Sequence, residues 1–159
     1  MRITVLAVGK IKEKFFCDAL TEYEKRLSRY CKLEILEVAD EKTPDHAGEL
    51  EETSIKQKEG ERILKKIPED SYVFLLDIGG IKMDSVSFSD KLGNLGVHGK
   101  SHLVFIIGGS LGIWEEVRKR ADFRLSFSDM TFPHQLMRVI LLEQIYRGYR
   151  ILKGEPYHK

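Results

Sequence analysis

His102-Leu103-Val104-Phe105-Ile106-Ile107-Gly108-Gly109-Ser110-Leu111-Gly112 carries no polar side chain from Leu103 to Ile107 and ends in a glycine turn. A strand with one face in water alternates apolar and polar residues, whereas a strand that is apolar throughout must be covered on both faces. Working outward, Arg2 to Val8 reads as another buried strand, ended by Gly9, and Leu33 to Val38 as a further one. Ser71 to Asp77 is a strand that Gly79-Gly80 breaks, and a last strand lies near Phe123 to Phe127. Helical patterns separate them. Phe15, Phe16, Ala19, Leu20, Tyr23, Leu27 and Tyr30 recur at helical spacing over Glu13 to Tyr30, which places Cys17 on the same stripe as a small core residue. Leu50 to Ile67 is a charged, mostly exposed helix that stops at Pro68. Ser85 to Leu95 is a weaker helix, Ile113 to Arg120 a short one, and the last helix follows Pro133. Strict alternation predicts an α/β fold, a parallel sheet with helices on both faces, in one domain over residues 1–159. Ligands in such folds bind beyond the carboxyl ends of the strands, here Asp77 to Gly80, Gly108 to Gly112 and Phe127 to Phe132.

The 159 residues are 42% hydrophobic and 32% charged, the balance of a globular protein that needs no disulfide or metal to build a core. The apolar runs are far short of a bilayer span and the N-terminus leads directly into a strand, so no membrane partner and a cytoplasmic location are expected. Cys17 and Cys31 stand apart without CxxC spacing or clustered histidines, which predicts neither a redox motif nor a metal site. A formal net charge of +1 excludes a strongly basic nucleic-acid coat and leaves room for a local basic patch.

The glycine turn is neither a P-loop nor GxGxxG. It does match GxSxG, with Asp129 and His134 following Ser110 in the order of a serine hydrolase. Against that reading, Asp129 and His134 are close neighbours around Pro133, while the acid and base of a triad normally come from separate strand ends. The C-terminal stretch Leu125 to Lys159, LSFSDMTFPHQLMRVILLEQIYRGYRILKGEPYHK, is apolar around nearly every angle of its helix. A second copy of the chain is expected to cover it. Arg138, Arg147, Arg150, Lys153, His158 and Lys159 make the same segment basic, and complementing the helix dipole accounts for only part of that charge. Tyr146, Tyr149 and Tyr157 suit either an interface or stacking on bases.

Four stretches, Arg2 to Leu27, Lys58-Glu59-Gly60-Glu61-Arg62-Ile63-Leu64, Phe105 to Gly112 and above all Leu125 to Lys159, resemble the ribosomal RNA large subunit methyltransferase H family of small SPOUT-class enzymes. The resemblance implies a C-terminal trefoil knot, a rare exception among folds. It implies S-adenosylmethionine bound at Leu76, Gly108, Phe127, Ser128, Asp129, Met130, Thr131 and Phe132, and a homodimer. The implied reaction is methylation at N3 of a pseudouridine in helix 69 of 23S rRNA within the assembled ribosome. Arg138, Arg147, Lys153, Tyr157 and His158 are the candidates for substrate contact, and His134 and His158 for handling the N3 proton. A serine hydrolase acting through Ser110 and a non-catalytic ribosome-binding protein are the competing readings. Two departures from the family pattern are visible: Gly80 to Phe88 has an extra residue and lacks the usual glutamate, and Leu111 replaces a residue that is often polar.

Overall fold

In the computed structural model, which describes residues 1–159, five strands pair in parallel in the order β2-β1-β4-β3-β5. They are β1 (Arg2–Val8), β2 (Lys32–Val38), β3 (Tyr72–Lys82), β4 (His102–Ile107) and β5 (Phe123–Ser126). The helices are α1 (Lys14–Leu27), α2 (Glu49–Leu64), α3 (Ser85–Val97), α4 (Glu115–Arg120) and α5 (His134–Leu152). The apolar run of β4 is the middle of the sheet, and Leu103, Val104, Phe105 and Ile106 are fully buried. Its side chains alternate between two cores. Leu103 and Phe105 join Ile3, Val5 and Phe74 against α1, α3 and α5. Val104 and Ile106 join Leu6, Val73 and Leu75 against α2 and α4. Phe74 and Phe105 stack with ring centroids 4.6 Å apart, and Phe88 meets both edge-on.

Several expectations are corrected. Gly79-Gly80 does not end β3. The strand pairs Leu76 with Leu125, bulges over Asp77 to Gly80, and resumes with Ile81 opposite the same Leu125. A Cβ on Gly80 would stand 2.6 Å from the Arg124 carbonyl oxygen, so glycine is present for close backbone approach. Cys17 is exposed rather than in the core. Burial on α1 begins only at Leu20, so the first turn and a half projects past the core, and Phe15 is 67% exposed there. Helix α2 ends at Leu64 and buries one face through Ile55, Glu59, Gly60 and Ile63.

The apolar surface of α5 is mostly covered within its own subunit. Leu141, Leu142 and Ile145 are fully buried and Tyr146 and Tyr149 nearly so, in the core shared with α1 and α3. Tyr30 stacks on Tyr149 at 5.5 Å, and burial beside it pushes the Cys31 thiol up to about 11. Of its apolar residues, Leu136, Ile140 and Ile151 are half-buried and outside that core, and Leu152 is exposed. No helix is long and apolar enough to cross a membrane.

Candidate active site

Three loops at the carboxyl ends of the strands enclose a cavity of about 390 Å³. The β3 bulge supplies Leu76, Asp77 and Ile78, and the turn after β4 supplies Gly108 to Gly112. The third loop, between β5 and α5, supplies Phe127, Ser128, Met130, Thr131 and Phe132, with His134 and Met137 from the first turns of α5. The glycine turn is held by its own bridge, Gly112 N–H donating to the Gly109 carbonyl at 3.1 Å. A Cβ on Gly108 would stand 2.3 Å from Ile113 Cδ1, so a side chain there would displace Ile113, and Gly112 has a φ of +99°, which favours glycine. In the third loop the Ser126 hydroxyl donates to the Ser128 carbonyl and the Ser128 hydroxyl accepts from Met130 N–H.

Of the positions carried over as cofactor contacts, Leu76, Gly108, Phe127, Ser128, Met130, Thr131 and Phe132 line this cavity. Asp129 does not. Its carboxylate turns outward to Lys82 Nζ at 2.5 Å, where both side chains are more than half exposed. The sequence reading missed the charged end of the cavity. Asp77, 12% exposed at its side chain, accepts from Arg118 Nε at 3.2 Å and faces Arg124 at 3.5 Å. Arg118 also donates to the Ile113 carbonyl at 3.3 Å. Asp77 was legible as a strand end, whereas Arg118 reaches it only through the orientation of α4.

His134 is half-buried against the cavity. Burial first, and the nearby Arg138 guanidinium second, hold its pKa below the usual histidine range, so a neutral imidazole faces the site at neutral pH. Ser110 is exposed and hydrogen-bonds neither His134 nor Asp129, and Asp129 is committed to Lys82. The arrangement a serine hydrolase needs is therefore not assembled.

The candidate substrate residues separate into two groups. Arg138 is 3% exposed, and its guanidinium is spent on Glu37 Oε2 at 2.9 Å and the Gly9 carbonyl at 2.7 Å, tying α5 to the ends of β1 and β2. This buried pairing leaves it no surface for substrate. Arg147, Tyr157 and His158 instead converge with Glu143, another residue the sequence reading passed over despite its i,i+4 spacing to Arg147. Glu143 Oε1 accepts from Arg147 Nη2 at 2.6 Å and from the Tyr157 hydroxyl at 3.1 Å. Burial, then the Glu143 hydrogen bond, pushes the Tyr157 phenol up to about 12. Arg147 lies over the Tyr157 ring at 4.7 Å and donates to His158 Nδ1 at 3.2 Å.

The tail is thus folded back rather than a free end. Glu155 pairs with Arg150 at 2.7 Å and accepts from the Tyr30 hydroxyl at 2.8 Å, after a left-handed turn at Gly154. His158 borders a second cavity of about 460 Å³ between the start of α3 and α5. Leu125 and Phe127 form walls of both cavities. Lys153 is exposed beyond the helix end.

The cavity lies beyond the strand ends of a parallel α/β sheet, where ligands of such folds bind, with apolar residues along its walls and Asp77 and Arg118 at one end. The sequence matches the family described as "Predicted SPOUT methyltransferase" over residues 1–158, and the chain belongs to that family of methyltransferases. It is 63% identical, over the full length of both chains, to the ribosomal RNA large subunit methyltransferase H of Clostridium kluyveri. The proteins of the same name from Clostridium beijerinckii and Bifidobacterium adolescentis are 60% and 61% identical to it, again end to end. The fold is similar to that of a probable methylase family protein from Haemophilus influenzae, with a TM-score of 0.52 at 13% identity over 99% of this chain and 70% of that one.

Proposed function

We propose that the protein transfers a methyl group from S-adenosylmethionine to ribosomal RNA of the large subunit, at N3 of a pseudouridine in helix 69 of the assembled ribosome. The observation that carries this reading is the cavity, whose chemistry fits the cofactor. Leu76, Ile107, Phe127, Phe132 and Met137 offer apolar walls to an adenine ring, and backbone groups between Phe127 and Phe132 are available to its polar edge. Asp77 and Arg118 suit an ammonium and a carboxylate at the other end. The end-to-end identity to proteins named as large-subunit ribosomal RNA methyltransferases supports the substrate class.

When bound, the cofactor supplies a methyl group activated on a sulfonium. The protein's part is chiefly to orient and to exclude water, because in-line transfer gains most from positioning. Removing the N3 proton needs a lowered pKa, and each unit corresponds to about 1.4 kcal/mol of differential stabilisation. Arg147, held by Glu143, and Lys159 place positive charge where the RNA would dock, with the His158 ring beside Arg147 as a hydrogen-bonding group. Lys153 and the Tyr157 ring extend that surface. His134 faces the cavity as a neutral imidazole, which makes it a candidate acceptor for the N3 proton.

A second copy of the chain is proposed to cover Leu136 and Ile140 together with Met130, which is 72% exposed at the cavity edge. The threading of α5 as a trefoil knot is proposed with it. One feature supports the knot: α5 returns from edge strand β5 to the space between α1 and α3. Ribosomes as substrate imply the cytoplasm. Calorimetry with S-adenosylmethionine tests the reading: micromolar binding that is lost in Gly108→Val is expected, and no heat at millimolar cofactor would overturn it.

A further inference from the structure

The stretch Lys58-Glu59-Gly60-Glu61 is absent from the cavity wall yet sits directly behind it. Glu59, on the inner face of α2, is only 5% exposed. Its Oε2 accepts from Glu41 N–H at 3.0 Å, in the loop after β2. Its Oε1 lies 2.6 Å from where a Cβ on Gly109 would stand, and Gly109 lines the cavity. One residue on, a Cβ on Gly60 would meet the Trp114 side chain at 2.7 Å, so α2 also packs without a gap against the residue that opens α4. Asp40, Glu41 and Arg62 face the carboxyl, and burial raises its pKa above the usual glutamate range. A buried carboxyl with one backbone donor is a costly way to fill space that an apolar side chain would fill better. Its shape and reach must serve something else.

We propose that Glu59 is a positioning residue for the cofactor turn: its carboxyl, anchored by Glu41 N–H, is a wedge against Gly109 that sets how far the Gly108 to Gly112 turn stands from the bound cofactor. This rests on the reading that the cavity holds S-adenosylmethionine. Displacing a binding loop by a fraction of an ångström weakens a site that the fold itself survives. The test is calorimetry of wild type and variants with S-adenosylmethionine and with neutral S-adenosylhomocysteine, beside melting temperatures. Glu59→Gln keeps the shape and the acceptor, and should bind both ligands within about twofold of wild type. Glu59→Asp is one methylene short and should weaken both about tenfold while remaining folded. Gly109→Ala loads the same contact from the other side and should lose a similar factor, part of which the Glu59→Asp, Gly109→Ala double variant should regain. If Glu59→Asp fails to fold, Gly109→Ala decides alone. Wild type binding normally with both single variants at wild-type affinity overturns the inference only. A loss in Glu59→Gln confined to the cationic ligand also overturns it, because charge rather than position would then be responsible. Wild type binding neither ligand overturns the cofactor reading and the inference with it.

Discussion

Arg138→Met separates a structural role for this residue from the RNA contact its position in a basic segment suggests. The substitution keeps the stem and removes the guanidinium, and with it the bonds to Glu37 Oε2 at 2.9 Å and to the Gly9 carbonyl at 2.7 Å. Hydrogen bonds to charged groups contribute about 1.5–3 kcal/mol each, so the gross loss is about 3–6 kcal/mol. Two effects offset part of it. Glu37 is 36% exposed and regains water, and the variant no longer buries a guanidinium whose Nε has no partner. The net loss should be about 2 kcal/mol. At roughly 2–4 °C per kcal/mol for a chain of this size, calorimetric melting should fall by about 4–8 °C. Methylation of ribosomes well below the melting temperature should keep kcat and KM within about twofold. An unchanged melting temperature with a raised KM for ribosomes would refute the reasoning and return Arg138 to the substrate surface.

Removing residues 155–159 should leave cofactor affinity within a few-fold and abolish most methylation, with a drop in melting temperature from the lost Glu155 contacts to Arg150 and Tyr30 and the lost packing of Tyr157 on Tyr146. Normal methylation of ribosomes by the truncated protein would contradict this. Ile140→Glu should give monomers by light scattering with nearly unchanged melting, whereas Leu142→Asp, at a fully buried site, should unfold the chain. A dimeric Ile140→Glu variant would place the partner surface elsewhere. Because His134 has a lowered folded-state pKa, the unfolded chain gains a proton that the folded chain refuses as pH falls through about 6.5. Stability is therefore lost on the acid side, and His134→Gln should reduce the part of that loss seen in urea melts between about pH 7.5 and about pH 5. His102, shifted the same way by burial, supplies a remaining share. Equal acid-side slopes in wild type and variant would refute the assignment.

The sheet was legible because β4 is apolar from Leu103 to Ile107 and β1 nearly so from Ile3 to Val8, and that pattern has no stable solution except cover on both faces. The loops at the strand ends followed from the same topology. What composition could not convey was which surface covers which. The apolar circumference of α5 looks the same whether α1 and α3 or a second copy fills it, and only the fold shows Leu141, Leu142 and Ile145 already covered. Arg138 reads as one more cation in a basic segment until β2 brings Glu37 beside it from 101 residues away. Gly79-Gly80 reads as punctuation because the close approach of the Arg124 carbonyl is invisible in sequence. Asp77 and Arg118 meet only through the orientation of α4. The positions from Phe127 to Phe132 were accessible through family resemblance, and even there Asp129 faces Lys82 instead of the cavity.

The most direct test of the central claim is transfer of a labelled methyl group from S-adenosylmethionine to assembled ribosomes, followed by digestion of the 23S rRNA and identification of the labelled nucleoside. The account predicts label in N3-methylpseudouridine from helix 69, far more on whole ribosomes than on isolated large subunits or naked rRNA, and none with a Gly108→Val variant. Label on any other nucleoside, equal labelling of the three substrates, or no transfer by a protein that binds the cofactor would contradict it.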